Sequence, residues 1–285
     1  MTDYVVYDVF TDTAFGGNPL AVIPDASALP EDRLQKIARE FNFSETTFVY
    51  PPQDARHTAR VRIFTPTMEV PFAGHPTIGT AIALCDLGRG SDLVLELGVG
   101  PIPCRVDAGA AEFITTHPLQ VTHSIDVADC AACLSLPAQD IRTDQHPPVM
   151  ASVGLGFVLV ALTGRDALSR IQTATDAFRQ CADKYPSELD FAILAYTRAG
   201  DDLQARVFAP LDNIPEDPAT GSAAAALTAY LSQREGRSLS LRIAQGVEMG
   251  RPSLILARAE AEGGAVSSVA IGGQAVRVMQ GRLTL

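Results

Sequence analysis

Three side chains in this sequence are placed where they could move a proton. Glu45 lies on a short turn, Phe43-Ser44-Glu45-Thr46, with Phe43 and Phe48 on either side. Aromatic neighbours take water away from a carboxyl, raise its pKa and suit it to accept a proton and return it. A solvent-exposed turn glutamate or a capping residue would read the same way. His75 opens the run His75-Pro76-Thr77-Ile78-Gly79-Thr80. It could exchange a proton or hold a carboxylate or carbonyl, or it could cap its own helix. Asp217, in Glu216-Asp217-Pro218-Ala219-Thr220-Gly221-Ser222, could orient a substrate amine or relay a proton. Asp before a helix is also a common N-cap. Asn18, in Gly16-Gly17-Asn18-Pro19, could hydrogen-bond a ligand or serve the turn alone.

His75 and Asp217 each precede a proline and a run of small residues, so each is expected at a helix start. The spacing predicts helices over 76–87 and 218–233. Gly74, Gly221 and Ser222 would leave backbone N–H groups open at those starts, and an uncapped helix N-terminus suits a carboxylate or phosphate. Leu34, Ile37, Ala38 and Phe41 share one face of a helix predicted over 30–41. Glu45 then falls on the connection from that helix to a strand over 46–50.

The two helix starts belong to a repeat. Residues 75–84 align with 217–226 without a gap, Arg62-Ile63-Phe64-Thr65-Pro66 echoes Arg206-Val207-Phe208-Ala209-Pro210, and Ser44-Glu45 with Phe48 echoes Ser187-Glu188 with Phe191. Three echoes in one order indicate a duplicated unit. If the halves face each other, two helix starts converge on one anionic group. Arg62 and Arg206 read as structural residues of the repeat.

Each half is expected to hold many short strands and two helices. In the first, strands are predicted near 4–10, 20–23, 46–50, 57–64, 93–97, 102–106 and 111–116. A crossover over 119–150 carries a short helix near 127–134. The second half follows with strands within 149–162, a helix over 166–179, and strands near 190–196, 203–208, 239–245, 252–258, 266–272 and 275–283. This is an α+β pattern and not a parallel βαβ sheet. The lobes are expected at 1–118 and 119–274.

A net charge of −11 argues against a nucleic-acid or anionic-membrane partner. An acidic substrate would have to be held by local dipoles and donors. No apolar run approaches the ~20 residues of a membrane span, and Met1-Thr2-Asp3-Tyr4 has no basic leader, so cytoplasmic residence is expected. Five cysteines do not suggest a disulfide framework, and the Cys130/Cys133 CxxC lacks the companions of a zinc site. Those thiols read as buried or idle, and no metal is expected. His57, His117, His123 and His146 read as surface or capping residues. Neither GxGxxG after a strand nor GxxxxGK[ST] occurs, so nothing points to a nucleotide.

The motifs Asp8-Val9-Phe10 with Gly17-Asn18-Pro19-Leu20-Ala21-Val22, Phe43-Ser44-Glu45-Thr46, Phe64-Thr65-Pro66, Phe72-Ala73-Gly74-His75-Pro76-Thr77 and Glu216-Asp217-Pro218-Ala219-Thr220-Gly221-Ser222-Ala223 resemble those of the PhzF-like family of phenazine-biosynthesis isomerases. Gln245-Gly246 and Gly250-Arg251-Pro252-Ser253 fit as well. The resemblance covers almost the whole chain. It implies a diaminopimelate-epimerase-like fold of two pseudo-symmetric lobes, each a mostly antiparallel sheet wrapped around a central helix. The site would lie between the lobes, and the C-terminal strand, 275–285, would return to the first. It also implies proton transfer without a cofactor, and a homodimer. Glu45 matches the family's acid–base glutamate. His75, Asp217, Gly74 and Ser222 match residues that line its pocket, with Ser44 and Asn18 as further carry-overs. Related racemases carry a cysteine at each helix start. Here neither loop has one, and Cys85 lies a helix away, so a two-thiol racemase is not expected.

The expected activity is therefore a cofactor-independent isomerase acting on a small unsaturated or cyclic carboxylate, of which dihydro-hydroxyanthranilate is the family's prototype. A metal-assisted hydrolase or lyase using Glu45, His75 and Asp217, and a carboxylate-binding protein without catalysis, are the alternatives. Whether Glu188 is a working residue or a remnant is open at this level.

Overall fold

The structure is a computed structural model that describes residues 1–187 and 191–284. The chain divides into two compact units: Met1–Thr115 together with Ala270 onward, and Thr116–Val269. Glu188 lies outside the described residues. Among the described residues no helix is long and apolar enough to cross a membrane.

The first unit contains β1 (Thr2–Val9), β2 (Asn18–Ile23), α1 (Glu31–Phe41), β3 (Glu45–Tyr50), β4 (Ala59–Phe64), β5 (Glu69–Val70), α2 (Gly74–Asp86), β6 (Asp92–Leu97), β7 (Gly100–Asp107) and β8 (Ala110–Thr115). β1 pairs antiparallel with β2, β2 parallel with β3, and β3 antiparallel with β4. β4 pairs antiparallel with β5 and parallel with β6, and β6, β7 and β8 form a meander. α2 is buried from Gly74 to Leu84. A helix that is apolar all round has no face to offer water, so it takes the centre and the sheet wraps it. α1 buries only Leu34, Ile37 and Ala38 and lies outside the sheet. Its first turn carries Glu31 and Asp32 and its last turn Arg39, each favourable to the helix dipole.

The second unit contains β9 (Gln120–Ser124), α3 (Val127–Leu134), β10 (Val149–Ser152), β11 (Gly156–Ala161), α4 (Arg165–Ser169), α5 (Thr175–Lys184), β12 (Ile193–Ala199), β13 (Asp202–Ala209), β14 (Ile214–Asp217), α6 (Gly221–Glu235), β15 (Leu239–Gln245) and β16 (Ser253–Glu262). The pairings follow the order of the first unit: β10 with β11 antiparallel, β11 with β12 parallel, β12 with β13 antiparallel, then β13 with β14 antiparallel and with β15 parallel. α6 is buried from Gly221 to Ser232 and ends on Gly236 at φ 66°. Its alanines let strands pack close on every side.

The last strand, β17 (Ala265–Leu283), is reached from β16 through Gly263-Gly264. Its later part pairs antiparallel with β1, from Ala275 against Val9 to Leu283 against Thr2, and β17 also pairs with β8. These contacts close the first unit's sheet into a ring around α2.

Four expectations are corrected. The strands predicted over 266–272 and 275–283 are one continuous strand, because Gly272-Gly273 stays extended and makes no turn. A Cβ at Gly272 would come within 3.2 Å of the Ala111 carbonyl oxygen, which accounts for glycine there. The helix predicted over 166–179 is two helices. The Gln172 and Ala174 N–H groups donate to the Leu134 and Cys133 carbonyls at the end of α3, so tertiary hydrogen bonds replace helical ones. The crossover contains β9, an unforeseen strand paired with β10. His146 is buried, not at the surface. Its Nδ1 faces the Pro147 carbonyl at 2.7 Å, which fixes the proton there, and its Nε2 accepts from the Tyr196 hydroxyl at 2.7 Å.

Candidate active site

Glu45, His75 and Asn18 come together in the first unit. Glu45 is the first residue of β3, directly after α1 ends on the left-handed Asn42 at φ 53°. Strand alternation then sorts its neighbours. Phe48 points to the opposite face and packs edge-on against Phe64, in a cluster with Leu34, Ile37 and Ala38 of α1. Thr47, two residues from Glu45, meets Thr80 of α2 at 3.0 Å. The glutamate therefore shares the α2 face. Phe48, on the opposite face, does not border it. Phe43 stacks on Phe41. Ser44 is half-buried beside the glutamate.

His75 is the second residue of α2, whose N-cap position is Ala73 with no side-chain cap. The helix starts at Gly74, two residues earlier than expected, so His75 is inside the first turn and does not cap it. Its Nδ1 lies 3.2 Å from Glu45 Oε2, with the glutamate side chain 15% exposed and the histidine 3%. Nδ1 also lies 3.4 Å from Asn18 Nδ2. Burial lowers the imidazole pKa from 6.5 to about 3, a shift that the Pro19 carbonyl partly opposes. The ring is thus neutral at physiological pH. Nδ1 faces the Asn18 amide nitrogen, which can only donate, so Nδ1 is an acceptor and the ring proton sits on Nε2. Nε2 is buried and has no hydrogen-bond partner among the described residues. Such an atom is costly unless a ligand's polar group meets it.

Asn18 is the fully buried first residue of β2, opposite Val9 of β1. The turn before it needs Gly17 at φ 60°, where a Cβ would come within 2.3 Å of the Val9 carbonyl oxygen. The buried carboxylate of Asp8 accepts the Phe15 N–H at 2.7 Å and holds the same loop.

The neutral, buried His75 has a consequence for stability. The unfolded chain's imidazole takes a proton near pH 6.5, whereas the folded one resists until about 3. The favourable contribution is complete above about pH 6.5 and is lost as pH falls toward 3, at up to ~1.4 kcal/mol per pH unit. His75→Gln is expected to flatten the slope of unfolding free energy between pH 6.5 and 4.5. Denaturant titrations across that range check this.

In the second unit, Asp217 is buried at the end of β14, and α6 begins only at Gly221. Asp217 is therefore not the helix N-cap, and the helix starts three residues later than predicted. The N-cap position is Thr220, which makes no side-chain cap. Its hydroxyl is committed elsewhere, donating to Asp217 Oδ2 at 2.6 Å. Gly221 and Ser222 form the buried first turn of α6. Gln245, at the end of β15, sits under this loop, with Nε2 2.8 Å from the Asp217 carbonyl oxygen. Sequence reading missed Thr220 and Gln245 as functional candidates. The signal that could have found them is Gly246, whose φ of 73° marks a sharp corner after the strand.

The remaining candidates fall outside both clusters. Arg62 pairs with Glu31 and Glu69, and Arg206 with Glu216, so both arginines serve the framework. Cys133 lies 3.5 Å from Cys181 of α5, sulfur to sulfur, and burial raises the pKa of Cys130, Cys133 and Cys181. His57 contacts Glu96 at 2.8 Å. Among the described residues no group of three or more His, Cys, Asp or Glu is arranged to hold a metal ion.

A mostly stranded sheet closed around a buried helix is an epimerase-like fold, and the relatives of this chain make its class that of the isomerases. The chain belongs to the phenazine biosynthesis-like protein family (PhzC-PhzF), which it matches over residues 7–281. An uncharacterized isomerase of Mesorhizobium japonicum is 40% identical over 300 residues, covering 99% of this chain and 98% of that protein. Trans-2,3-dihydro-3-hydroxyanthranilate isomerase of Pseudomonas aeruginosa is 37% identical over 287 residues, covering 100% of both. The crystal structure of a PhzF-family phenazine biosynthesis protein of Bacillus anthracis has the same fold. Its TM-score is 0.87 at 24% identity, with 100% of this chain and 99% of that one covered.

Proposed function

We propose that this isomerase moves a proton within a small unsaturated cyclic carboxylate, with Glu45 as the general acid and base. The observation that carries the reading is the 3.2 Å contact between Glu45 and a buried, neutral His75 whose Nε2 has no hydrogen-bond partner among the described residues. A neutral imidazole beside the carboxylate does not compete for its proton. Glu45 takes a proton from a carbon next to a double bond. The electron pair spreads through the conjugated system, and the proton returns at another carbon, so nothing is gained or lost. The helix N–H groups at Gly74 suit the substrate carboxylate, and those at Gly221 and Ser222 offer the same chemistry. Asn18, Ser44, His75 and Asp217 meet its polar substituents.

The substrate is a dihydro-hydroxyanthranilate or a ring of the same chemistry, a reading supported by the P. aeruginosa relative's name. Family membership supports action as a homodimer without a cofactor. The test is incubation of the purified protein with trans-2,3-dihydro-3-hydroxyanthranilate, followed by proton NMR. Conversion at a rate proportional to enzyme is the expected result, unchanged by chelators. Binding of the compound with no change in its spectrum would replace the isomerase reading on this substrate with that of a carboxylate-binding protein.

A further inference from the structure

We infer that Thr220 and Gln245 are positioning residues that hold the Asp217 carboxylate for the reaction. The inference rests on Asp217 meeting substrate, as proposed above. Hydrogen-bond accounting leaves one arrangement. The Gln245 amide faces two backbone groups: the Thr220 N–H at 3.2 Å and the Asp217 carbonyl at 2.8 Å. An N–H can only donate and a carbonyl can only accept, so Oε1 takes the first and Nε2 serves the second. The amide orientation is thereby set by the main chain. The second hydrogen of Nε2 then points to Thr220 Oγ1 at 3.0 Å. With that oxygen accepting from Gln245, the hydroxyl proton is directed to Asp217 Oδ2, 2.6 Å away.

The relay is built to be rigid. Gln245 is buried at the last pairing of β15 with β16, opposite Ser253. The Ser253 hydroxyl donates to the Pro218 carbonyl at 2.9 Å. At Gly246 a Cβ would meet the Pro218 carbonyl oxygen at 2.7 Å and that of Arg251 at 2.4 Å. The β15–β16 corner thus braces residues 217–220 from below. A hydroxyl aimed at Oδ2 fixes the plane of the carboxylate. Held in this way, Asp217 is an acceptor suited to a substrate amine or hydroxyl.

The test is a mutant cycle on turnover of trans-2,3-dihydro-3-hydroxyanthranilate. Thr220→Val keeps the volume and removes the proton, and is expected to lower kcat by about tenfold to a hundredfold. Thr220→Ser restores the hydroxyl and is expected to recover most of the rate. Gln245→Glu replaces a donor with an acceptor and should match Thr220→Val. In an Asp217→Asn background Thr220→Val is expected to cost nothing further, a result that a purely structural residue would not give. Full activity in Thr220→Val, or additive losses with Asp217→Asn, would overturn the inference and leave the isomerase reading intact. Calorimetry with 3-hydroxyanthranilate, the aromatic ring of the same substituents, separates the two readings. If the wild type binds it but converts no substrate, and Thr220→Val and Asp217→Asn share the loss of binding, the inference stands and the reaction does not. Neither binding nor conversion by the wild type would overturn both.

Discussion

Replacing Glu45 by glutamine is expected to lower kcat for proton transfer by about 10²–10⁴-fold, the range for removal of a general acid–base group. The substitution keeps the size of the side chain and its contact with His75 Nδ1, 3.2 Å away in the wild type. It removes only the basicity. Binding of 3-hydroxyanthranilate should therefore survive within a few fold, and the loss should appear in kcat and not in KM. A glutamine variant that turned over at the wild-type rate would move the acid–base role to His75 or Asp217. Burial holds the His75 pKa near 3, which leaves it a weak base.

The second large effect is structural, and the repeat supplies its own control. Arg206 and Arg62 are equivalent in sequence, and each guanidinium lies over a phenylalanine two residues on, 5.0 Å from Phe208 and 5.1 Å from Phe64. Their surroundings differ. Arg206 is 7% exposed, grips Glu216 through two hydrogen bonds and donates to the Leu168 carbonyl at 2.9 Å. Arg206→Ala leaves Glu216 and that carbonyl without their donor in a buried site, and is expected to cost about 3–5 kcal/mol. Glu216 also precedes Asp217, so activity should fall with stability. Arg62 meets Glu31 and Glu69 at the surface, where their side chains are 74% and 42% exposed. Arg62→Ala is expected to cost at most ~1 kcal/mol. Guanidinium unfolding of the two variants side by side checks the contrast. Equal losses would show that burial does not separate the two copies.

What could be read in advance follows from the range of the interactions involved. The central helices were legible because their apolar and small residues are consecutive, and α3 emerged where its short apolar run predicted it. Asn18, Glu45 and His75 were each marked by local motifs, and the structure brings the three together. The details that failed depend on partners distant in sequence. The break between α4 and α5 is made by carbonyls about forty residues away in α3, and Gln245 reaches back to a loop 25 residues earlier. Asp217 read as a helix cap because Asp-Pro usually is one. Here β14 extends through it, pairing Asp217 with Val207. Phe48 flanks Glu45 in sequence but not in space, because β3 alternates its side chains between two faces. His146 gave no sign of its burial, since its Tyr196 partner lies 50 residues on.

The central claim is that Glu45 carries a proton from one carbon of a cyclic carboxylate to another. Proton NMR of trans-2,3-dihydro-3-hydroxyanthranilate in deuterated buffer, with the wild type and with Glu45→Gln in parallel, tests it most directly. The account predicts that the wild type forms an isomer bearing deuterium at the carbon that gained the hydrogen, and that the glutamine variant forms none on the same timescale. Equal conversion by the two proteins would contradict it.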